Sequence, residues 1–375
     1  MKNLKINMYD KNVASAMETP KITVILPTYR RPHLLKRSIQ SVLNQSYQCF
    51  QVHVYDNASN DGTQKVVGEL AETDSRIKYY CHEQNIGAIV NINHGLKEVN
   101  TPYFLILHDD DFLLPEFFET ALEGFERYPG AMAYDSLALQ YDGKHIISPK
   151  PKLPNGSERL YLPPSLVEHI LQGTHWISTL FRSEVVNLIG LLDPETGAPT
   201  DTDYMLRISS RCPMVMSKKA GAVLFVHPGM HTMKLASNQD WYESWKKIIN
   251  RVATDKTIPL DVRRQAEHLL KHLVASTMVN STLFLLKDKK YAAANNKITL
   301  IEETKILTHY SGIRLYAFIL VLKSVRYSPL FSTYLARIIL PFGSIQKTAN
   351  RIMNRKTLVY WEKRIKAYAE LLEST

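Results

Sequence analysis

The chain has 375 residues, 45% hydrophobic and 22% charged, which is a globular composition with room for about two or three domains. This composition excludes a disordered chain and a collagen-like repeat, and three widely spaced cysteines exclude a disulfide framework or a cysteine zinc cluster. The charge is uneven: residues 1–239 carry 23 Lys and Arg against 25 Asp and Glu, whereas residues 240–375 carry 23 against 11. We therefore treat the last third as a separate basic domain with its own partner.

The N-terminal residues do not read as a targeting segment. The first twenty lack the apolar stretch of a signal peptide, and no run of about 18 uncharged apolar residues occurs anywhere in the sequence. We therefore expect a cytoplasmic protein that does not span a membrane, with residues 1–19 as an extension.

Residues 20–135 alternate apolar strands with amphipathic helices. Strands are predicted at Lys21–Leu26, Gln51–Tyr55, Ile77–Cys81 and Tyr103–Leu107, and helices at His33–Leu43, from Thr63 and at Ala88–Val99. Strands separated by single helices favour a mostly parallel sheet with helices on both faces. Ligands of such sheets bind beyond the carboxyl ends of the strands, so the loops after Leu26, Tyr55 and Leu107 should line one crevice.

The order of elements changes after residue 135. Strands are predicted at Ala131–Leu139, Trp176–Phe181 and Val215–Val226, with a Pro-rich stretch over 149–164 and a helix that begins near Asp201. A helical hairpin, Val262–Leu286 followed by Tyr291–Glu303, opens the last third. We expect residues 136–239 to supply the acceptor side of the site.

Five motifs occur in a characteristic order. They are PTYRRP (27–32), DNASNDGT (56–63), NIGAIVN (85–91), LHDDDFLLP (107–115) and TDTDYMLR (200–207). Together they resemble the family 2 glycosyltransferases, inverting enzymes of the Rossmann-like GT-A fold that use nucleotide-activated sugars. The resemblance covers about residues 20–235 and implies an α/β GT-A domain over 20–239, with a nucleotide-sugar half (20–135) and an acceptor half (136–239). A mainly α-helical domain over 240–375 follows.

The acidic triplet Asp109, Asp110 and Asp111 suggests a cation site. Adjacent carboxylates repel one another unless the loop is wet or a cation neutralises them, and oxygen ligands favour Mg²⁺ or Mn²⁺ over zinc. From the residues alone, Asp111 could equally cap the following helix. The resemblance implies that Asp111 holds a divalent cation on the donor diphosphate, and that Asp109 or Asp110 contacts the ribose or the metal's waters. His108 stands where the family often has the first Asp of its Asp-x-Asp motif.

The resemblance also implies a nucleotide slot. It assigns Pro27, Thr28, Tyr29, Arg31 and Asp56 to a donor nucleotide, most simply UDP, with the Asp56 carboxylate accepting from a pyrimidine N–H. The alternative for Asp56 is a local turn, and for Arg31 a solvated helix start. For Asn57, Ser59 and Asp61 we favour the local turn and helix cap.

The resemblance supplies a catalytic base. Asp201 aligns with the Asp of the family's Glu-Asp pair, which takes the proton of the acceptor hydroxyl, and Thr200 replaces the Glu. Asp203 is the alternative base, and a helix cap is the structural alternative for Asp201. In the loop after the last strand, His227 or His231 is expected to contact the metal or a phosphate, and we favour His227.

These assignments predict an inverting glycosyltransferase of bacterial surface-polysaccharide type. A single in-line displacement would transfer the sugar to a saccharide or a lipid-linked saccharide. A nucleotidyltransferase would need a Gly-rich loop after the first strand, where this chain has PTYRRP. A non-catalytic scaffold at the membrane surface is the other alternative, against which the intact carboxylates argue.

Residues 304–361 contain no Asp or Glu but nine Lys and Arg, interleaved with the apolar stretches Leu315–Leu322 and Tyr334–Phe342. These stretches are too short to cross a bilayer but suit its surface. We therefore expect this segment to dock on an anionic membrane, which would make the protein peripheral on the inner face of the cell membrane. A helical bundle with a solvated basic face is the alternative, and without an RNA-binding signature we expect no nucleic acid partner.

Overall fold

The computed structural model describes residues 20–147, 158–173, 175–227, 239–305 and 355–374. The strands are β1 (Ile22–Thr28), β2 (Phe50–Asp56), β3 (Ile77–Cys81), β4 (Tyr103–Ile106), β5 (Phe112–Leu113), β6 (Ala133–Tyr141), β7 (Arg159–Tyr161), β8 (Thr179–Arg182) and β9 (Met214–Phe225). The helices are α1 (Pro32–Leu43), α2 (Thr63–Thr73), α3 (Ala88–Lys97), α4 (Phe117–Arg127), α5 (Leu166–Gln172), α6 (Glu184–Ile189), α7 (Thr200–Arg211), α8 (Gln239–Thr254), α9 (Leu260–Lys287), α10 (Tyr291–Thr304) and α11 (Arg355–Ser374).

One mixed sheet organises residues 20–227. Its order is β3-β2-β1-β4-β8-β6-β9-β5, with β7 also paired to β9. The first four strands are parallel, which confirms the predicted βα alternation. In the register of β1 with β2, Thr28 lies beside Asp56, so the carboxyl ends of these strands open on the same edge. The loops after β1, β2 and β4 therefore meet there, as predicted.

The second half of the sheet is more mixed. β8 runs antiparallel to β4 and β6, and β5 and β7 run antiparallel to β9, while β6 and β9 are parallel. The predicted strand Trp176–Phe181 is wrong over its first half, because Trp176–Ser178 forms a 3₁₀ turn and the strand begins at Thr179. The sequence analysis also missed β5 and β7, which are too short to show an alternating pattern.

The sheet core is packed tightly enough to exclude a single methyl group at some positions. A Cβ at Gly124, in α4, would lie 2.1 Å from the ring of the fully buried Tyr134 on β6. Helix α4 therefore approaches the sheet at a distance that only glycine permits.

The helices α8, α9 and α10 form a second core. Trp241, Trp245, Leu270 and Met278 are among its buried residues, and it is continuous with Leu166 of α5 and Leu206 of α7. The predicted hairpin is thus present as α9 and α10, and its core continues into α5 and α7 of the sheet domain. Among the described helices, α9 is long and apolar enough to cross a membrane by length and composition, a test that core helices also pass, and 44% of its apolar window is buried.

Helix α11 returns to a different place. Its residues Ile365, Ala369 and Leu372 share a hydrophobic cluster with β5, β6 and β9 rather than with α8 to α10. Residues 306–354, which hold most of the segment predicted to dock on a membrane, lie outside the described part of the chain.

The contact at Gly124 yields a stability prediction. Gly124→Ala should destabilise the protein by about 1–3 kcal/mol, because the added methyl displaces the Tyr134 ring in a close-packed core. The control is Gly68→Ala in α2, where a Cβ meets nothing within 4 Å and where alanine should stabilise by about 0.5–1 kcal/mol. Urea denaturation measures both, and equal midpoints for the two variants would contradict the packing described.

Candidate functional site

The acidic triplet lies in a buried loop between β4 and β5. Asp109, Asp110 and Asp111 are all buried, at 6%, 7% and 2% exposure, so bulk water does not solvate their carboxylates. Burial destabilises adjacent carboxylates, and they require donors or a cation around them. The partners of this loop therefore define the site.

Helix α1 holds the main chain of this loop with a row of buried polar side chains. Arg37 Nη2 donates to the carbonyl of Asp110 at 2.8 Å, and Ser38 Oγ donates to the carbonyls of His108, at 2.8 Å, and Asp111. Further along, Gln45 Nε2 donates to the carbonyl of Leu114 at 2.8 Å. The loop conformation is thus set by the helix that packs beneath it.

The first two carboxylates of the triplet meet the loop after β1. Thr28 Oγ1 donates to Asp109 Oδ2 at 2.8 Å. Arg31 Nη1 lies 3.2 Å from Asp109 Oδ1 and 2.6 Å from Asp110 Oδ2. His227 Nε2 lies 3.2 Å from the same oxygen of Asp110. The structure thus brings together five predicted site residues.

Asp111 faces a different set of partners. The Phe225 N–H donates to its Oδ1 at 2.9 Å, and His108 Nδ1 lies 3.3 Å from its Oδ2. The indole N–H of Trp176 donates to His108 Nε2 at 2.9 Å. That bond occupies the lone pair of Nε2, so Nδ1, which faces Asp111, is the ring nitrogen that a cation could bind after its proton has left.

The charges in this loop are not balanced by the protein alone. Burial and the neighbouring Asp110 raise the pKa of Asp109 to about 6, against the opposing charge of Arg31. Burial likewise raises the pKa of Asp111, with the bond from His108 opposing. Burial lowers the pKa of His108, but the bond to Asp111 and the charges of Asp111, Asp110 and Asp201 outweigh it and raise that pKa to about 9, whereas the bond from Trp176 requires an unprotonated Nε2 and opposes this shift. Burial thus makes the carboxylates of Asp109 and Asp111 harder to ionise, an effect that a bound cation would reverse.

A cation fits this donor set. Ligand atoms of His108, Asp110 and Asp111 lie within 4.8 Å of one another. Two carboxylates and one imidazole suit Mn²⁺ as well as the harder Mg²⁺. This set differs from the predicted set of Asp109, Asp111 and His227. Asp109 accepts hydrogen bonds from Thr28 and Arg31, and His227 lies beside the three ligand residues, in contact with Asp110.

Asp56 is buried at the end of β2, where it is tied to the protein. Its Oδ1 accepts from the Ser59 N–H at 2.9 Å, and its Oδ2 accepts from the Tyr79 hydroxyl at 2.6 Å. Ser59 Oγ in turn accepts from the Arg30 N–H at 2.8 Å, which joins this loop to the one after β1. The favoured local interpretation holds for Asp61, whose carboxylate accepts from the Thr63 N–H and hydroxyl at the start of α2.

The two aspartates of the TDTDYMLR motif have different surroundings. Asp203 is buried and lies 2.9 Å from Arg207 Nε and 2.6 Å from Arg251 Nη1 of α8. Asp201, in the first turn of α7, is half-buried and bonds its own neighbour Thr202. Burial lowers the pKa of His175, and the charges of Asp201 and Asp111 oppose that shift.

Sequence reasoning missed several residues of this site. Trp176, Arg37, Ser38 and Arg251 belong to no motif, and His108 entered only as a departure from the family pattern. Arg37 and Ser38 could have been noticed because they lie in the predicted helix directly after the first strand. That they face the acidic loop follows from the tertiary fold and is not visible in the sequence.

Comparison with known proteins identifies the sheet domain. Residues 23–179 match the sequence model of the family described as glycosyl transferase family 2. Over 135 residues the chain is 36% identical to the GalNAc(5)-diNAcBac-PP-undecaprenol beta-1,3-glucosyltransferase of Campylobacter jejuni, covering 34% of this chain and 44% of that one. The chain thus spans less than half the length of this relative.

Solved structures extend the likeness to the whole fold. TarS of S. aureus (residues 1–349), in complex with UDP-GlcNAc, is similar with a TM-score of 0.59 at 17% identity, over 86% of this chain and 92% of that one. A mannosyltransferase of Pyrobaculum calidifontis in complex with GDP-Man and Mn²⁺ gives a TM-score of 0.53 at 14% identity, over 86% of each chain. The predicted GT-A sheet domain with a helical C-terminal region is therefore confirmed, and the predicted resemblance to family 2 agrees with the family model over residues 23–179.

Proposed function

We propose that the protein is an inverting glycosyltransferase that moves a sugar from a nucleoside diphosphate sugar to a hydroxyl of a saccharide or lipid-linked saccharide in cell-surface polysaccharide biosynthesis. One observation carries this proposal. The buried loop of Asp109, Asp110 and Asp111 lies at the carboxyl edge of the parallel strands, where Thr28 and Arg31 of the loop after β1 contact it. This carboxylate cluster would serve the donor, and Asp201, in the first turn of α7, would be the separate carboxylate for the acceptor.

A divalent cation is part of the proposal. Asp110, Asp111 and His108 would hold Mg²⁺ or Mn²⁺, which when bound would offset the charge that develops on the leaving diphosphate. Arg31, which bridges Asp109 and Asp110, is half-buried and lies where it could exchange a carboxylate for a phosphate oxygen. Thr28, Tyr29 and Pro27 would line the nucleotide slot beside Asp109.

Asp56 is the proposed contact of the nucleotide base. Asp56 uses both carboxylate oxygens within the protein, but each oxygen retains a second lone pair. Through such a lone pair Asp56 would accept a hydrogen bond from the nucleotide base. UDP is the favoured nucleotide because the similar TarS structure holds UDP-GlcNAc.

Asp201 is the proposed general base. Its half-exposed carboxylate at the first turn of α7 is open to an acceptor, whereas Asp203 is committed to Arg207 and Arg251. Asp201 would take the proton of the acceptor hydroxyl as its oxygen attacks the anomeric carbon opposite the diphosphate, which inverts the configuration. A saccharide linked to a polyprenyl lipid is the favoured acceptor, because the name of the C. jejuni relative describes such a substrate.

Two other functions are weaker. A nucleotidyltransferase would need glycines after β1, where this chain has Thr28 to Pro32 and commits Thr28 and Arg31 to the acidic loop. A non-catalytic scaffold would have no need for buried carboxylates whose pKa is raised, as at Asp109. Release of nucleotide from UDP-, GDP- and dTDP-sugars in the presence of acceptor saccharides tests the proposal directly.

The cation assignment predicts a response to chelation. EDTA should abolish transfer, because without a cation the diphosphate would leave without charge compensation. Added Mn²⁺ or Mg²⁺ should restore transfer. Asp111→Asn should raise the Mn²⁺ concentration needed for half-maximal rate by about tenfold or more, as expected for a lost carboxylate near the ion. Full activity in EDTA would reject the cation.

The base assignment predicts a difference between two aspartates. Asp201→Asn should bind donor normally but lose turnover by at least about 10²-fold, because it keeps shape and loses basicity. Asp203→Asn is the control, and it should lower the unfolding free energy by about 2 kcal/mol through its two arginines. If turnover falls with Asp203→Asn and not with Asp201→Asn, the base is Asp203.

Docking on an anionic membrane stays a prediction from the sequence of residues 304–361. The full-length protein should sediment with anionic vesicles at low salt and be released at high salt, since each basic residue contributes on the order of 1 kcal/mol. Changing Arg314, Lys323, Arg326 and Arg337 to Gln should weaken sedimentation, and neutral vesicles are the control. Equal sedimentation with neutral and anionic vesicles would reject the electrostatic mechanism.

A further inference from the structure

The acidic loop rests on a layer of aromatic rings. The guanidinium carbon of Arg37 lies 4.2 Å from the ring centroid of Phe225 and 5.0 Å from that of Phe112. Arg37 also holds the carbonyl of Asp110, and the Phe225 N–H holds the carboxylate of Asp111. Arg37 and Phe225 are therefore in direct contact both with each other and with the residues Asp110 and Asp111 of the proposed cation site.

Helix α11 packs on the far side of this layer. Ile365, Ala369 and Leu372, spaced to share one helix face, are buried in a cluster that includes Phe112. The Tyr368 ring lies 6.2 Å from the Phe112 ring, and Glu373 Oε1 lies 3.9 Å from Arg37 Nη1. The C-terminal helix thus touches the same two residues that support the acidic loop.

Polar contacts fix the position of α11 along the sheet. Glu362 Oε1 accepts from the Ile146 N–H at 3.3 Å, and Arg364 Nη2 lies 3.5 Å from Glu116 Oε1. These contacts lie near the middle of α11, whereas Glu373 lies near its C-terminus. The second half of α11 is therefore held at two separate points.

We propose that α11 positions the cation site: its apolar face presses Phe112 and, through it, Arg37 and Phe225 against the acidic loop, so that Asp110 and Asp111 stay close enough to share one cation. This inference rests on the proposed function, because it assigns α11 to the same site. Groups behind metal ligands tune affinity by about 10- to 100-fold in other proteins. Arg37 is then a positioning residue, since it acts through Asp110.

Adjacent leucines of α11 provide a matched test in the full-length chain. Leu372 is fully buried against the layer, whereas Leu371 is 51% exposed. Leu372→Asp should weaken binding of Mn²⁺ alone, measured by electron paramagnetic resonance of the free ion, by about tenfold or more, whereas Leu371→Asp should leave it unchanged. Saturating Mn²⁺ should return the kcat of Leu372→Asp to within about twofold of wild type, which a general loss of folded protein would not allow.

A measurement on the wild type does not depend on any variant. Because coupling between sites is reciprocal, Mn²⁺ should slow amide hydrogen exchange in residues 362–374. Equal Mn²⁺ affinity for Leu372→Asp and Leu371→Asp, or exchange in α11 that ignores Mn²⁺, overturns the inference. If Leu372→Asp does not fold, the exchange measurement decides.

The outcomes separate this inference from the proposed function. If the protein transfers sugar but α11 does not respond to Mn²⁺, the proposed activity stands and the positioning role of α11 is rejected. If Mn²⁺ binding is coupled to α11 but no sugar is transferred, the positioning role stands and the proposed activity is rejected. A wild-type protein that binds no Mn²⁺ rejects both the cation assignment and the support.

Discussion

The structure depends on the burial of three consecutive carboxylates in one loop. Asp109, Asp110 and Asp111 lie at 7% exposure or less, where a charge is costly unless donors surround it. Arg31, His227 and His108 meet the carboxylates, and α1 and the Phe225 N–H supply further donors. Burial and the charge of Asp110 raise the pKa of Asp109 to about 6 although Arg31 and Thr28 oppose that shift. A cluster with unbalanced negative charge at the mouth of a parallel sheet is suited to a cation and a diphosphate.

The remaining architecture keeps this loop in place. Arg37 and Ser38 are polar residues on the buried side of α1, and Gln45 follows the end of that helix; all three bond main-chain carbonyls of residues 108–114. These bonds fix the main chain of the loop without using the carboxylate oxygens. Helix α1 therefore supports the site with its polar residues, while its apolar positions pack into the core.

The C-terminal region reaches the site from two directions. Arg251 of α8 lies 2.6 Å from the buried Asp203, which steadies the helix that carries Asp201. Helix α11 lies against Phe112, behind the acidic loop. The proposed donor and acceptor carboxylates are thus each supported by a helix from beyond residue 239.

The sequence by itself determined the parallel half of the fold and the identity of most candidate site residues. The apolar runs that end in PTYRRP, DNASNDGT and LHDDDFLLP indicated the strands and the loops that follow them. Because the carboxyl ends of parallel strands converge, Thr28, Arg31 and Asp109 were expected to lie together, and they are in contact. Tertiary structure alone decided which atoms meet. His108 joins the cation cluster because Trp176, 68 residues away in sequence, fixes its ring. Asp201 and Asp203 look alike in sequence, yet only Asp203 meets Arg251 of α8. Such contacts depend on packing between distant segments, and no periodicity or spacing in the chain records them.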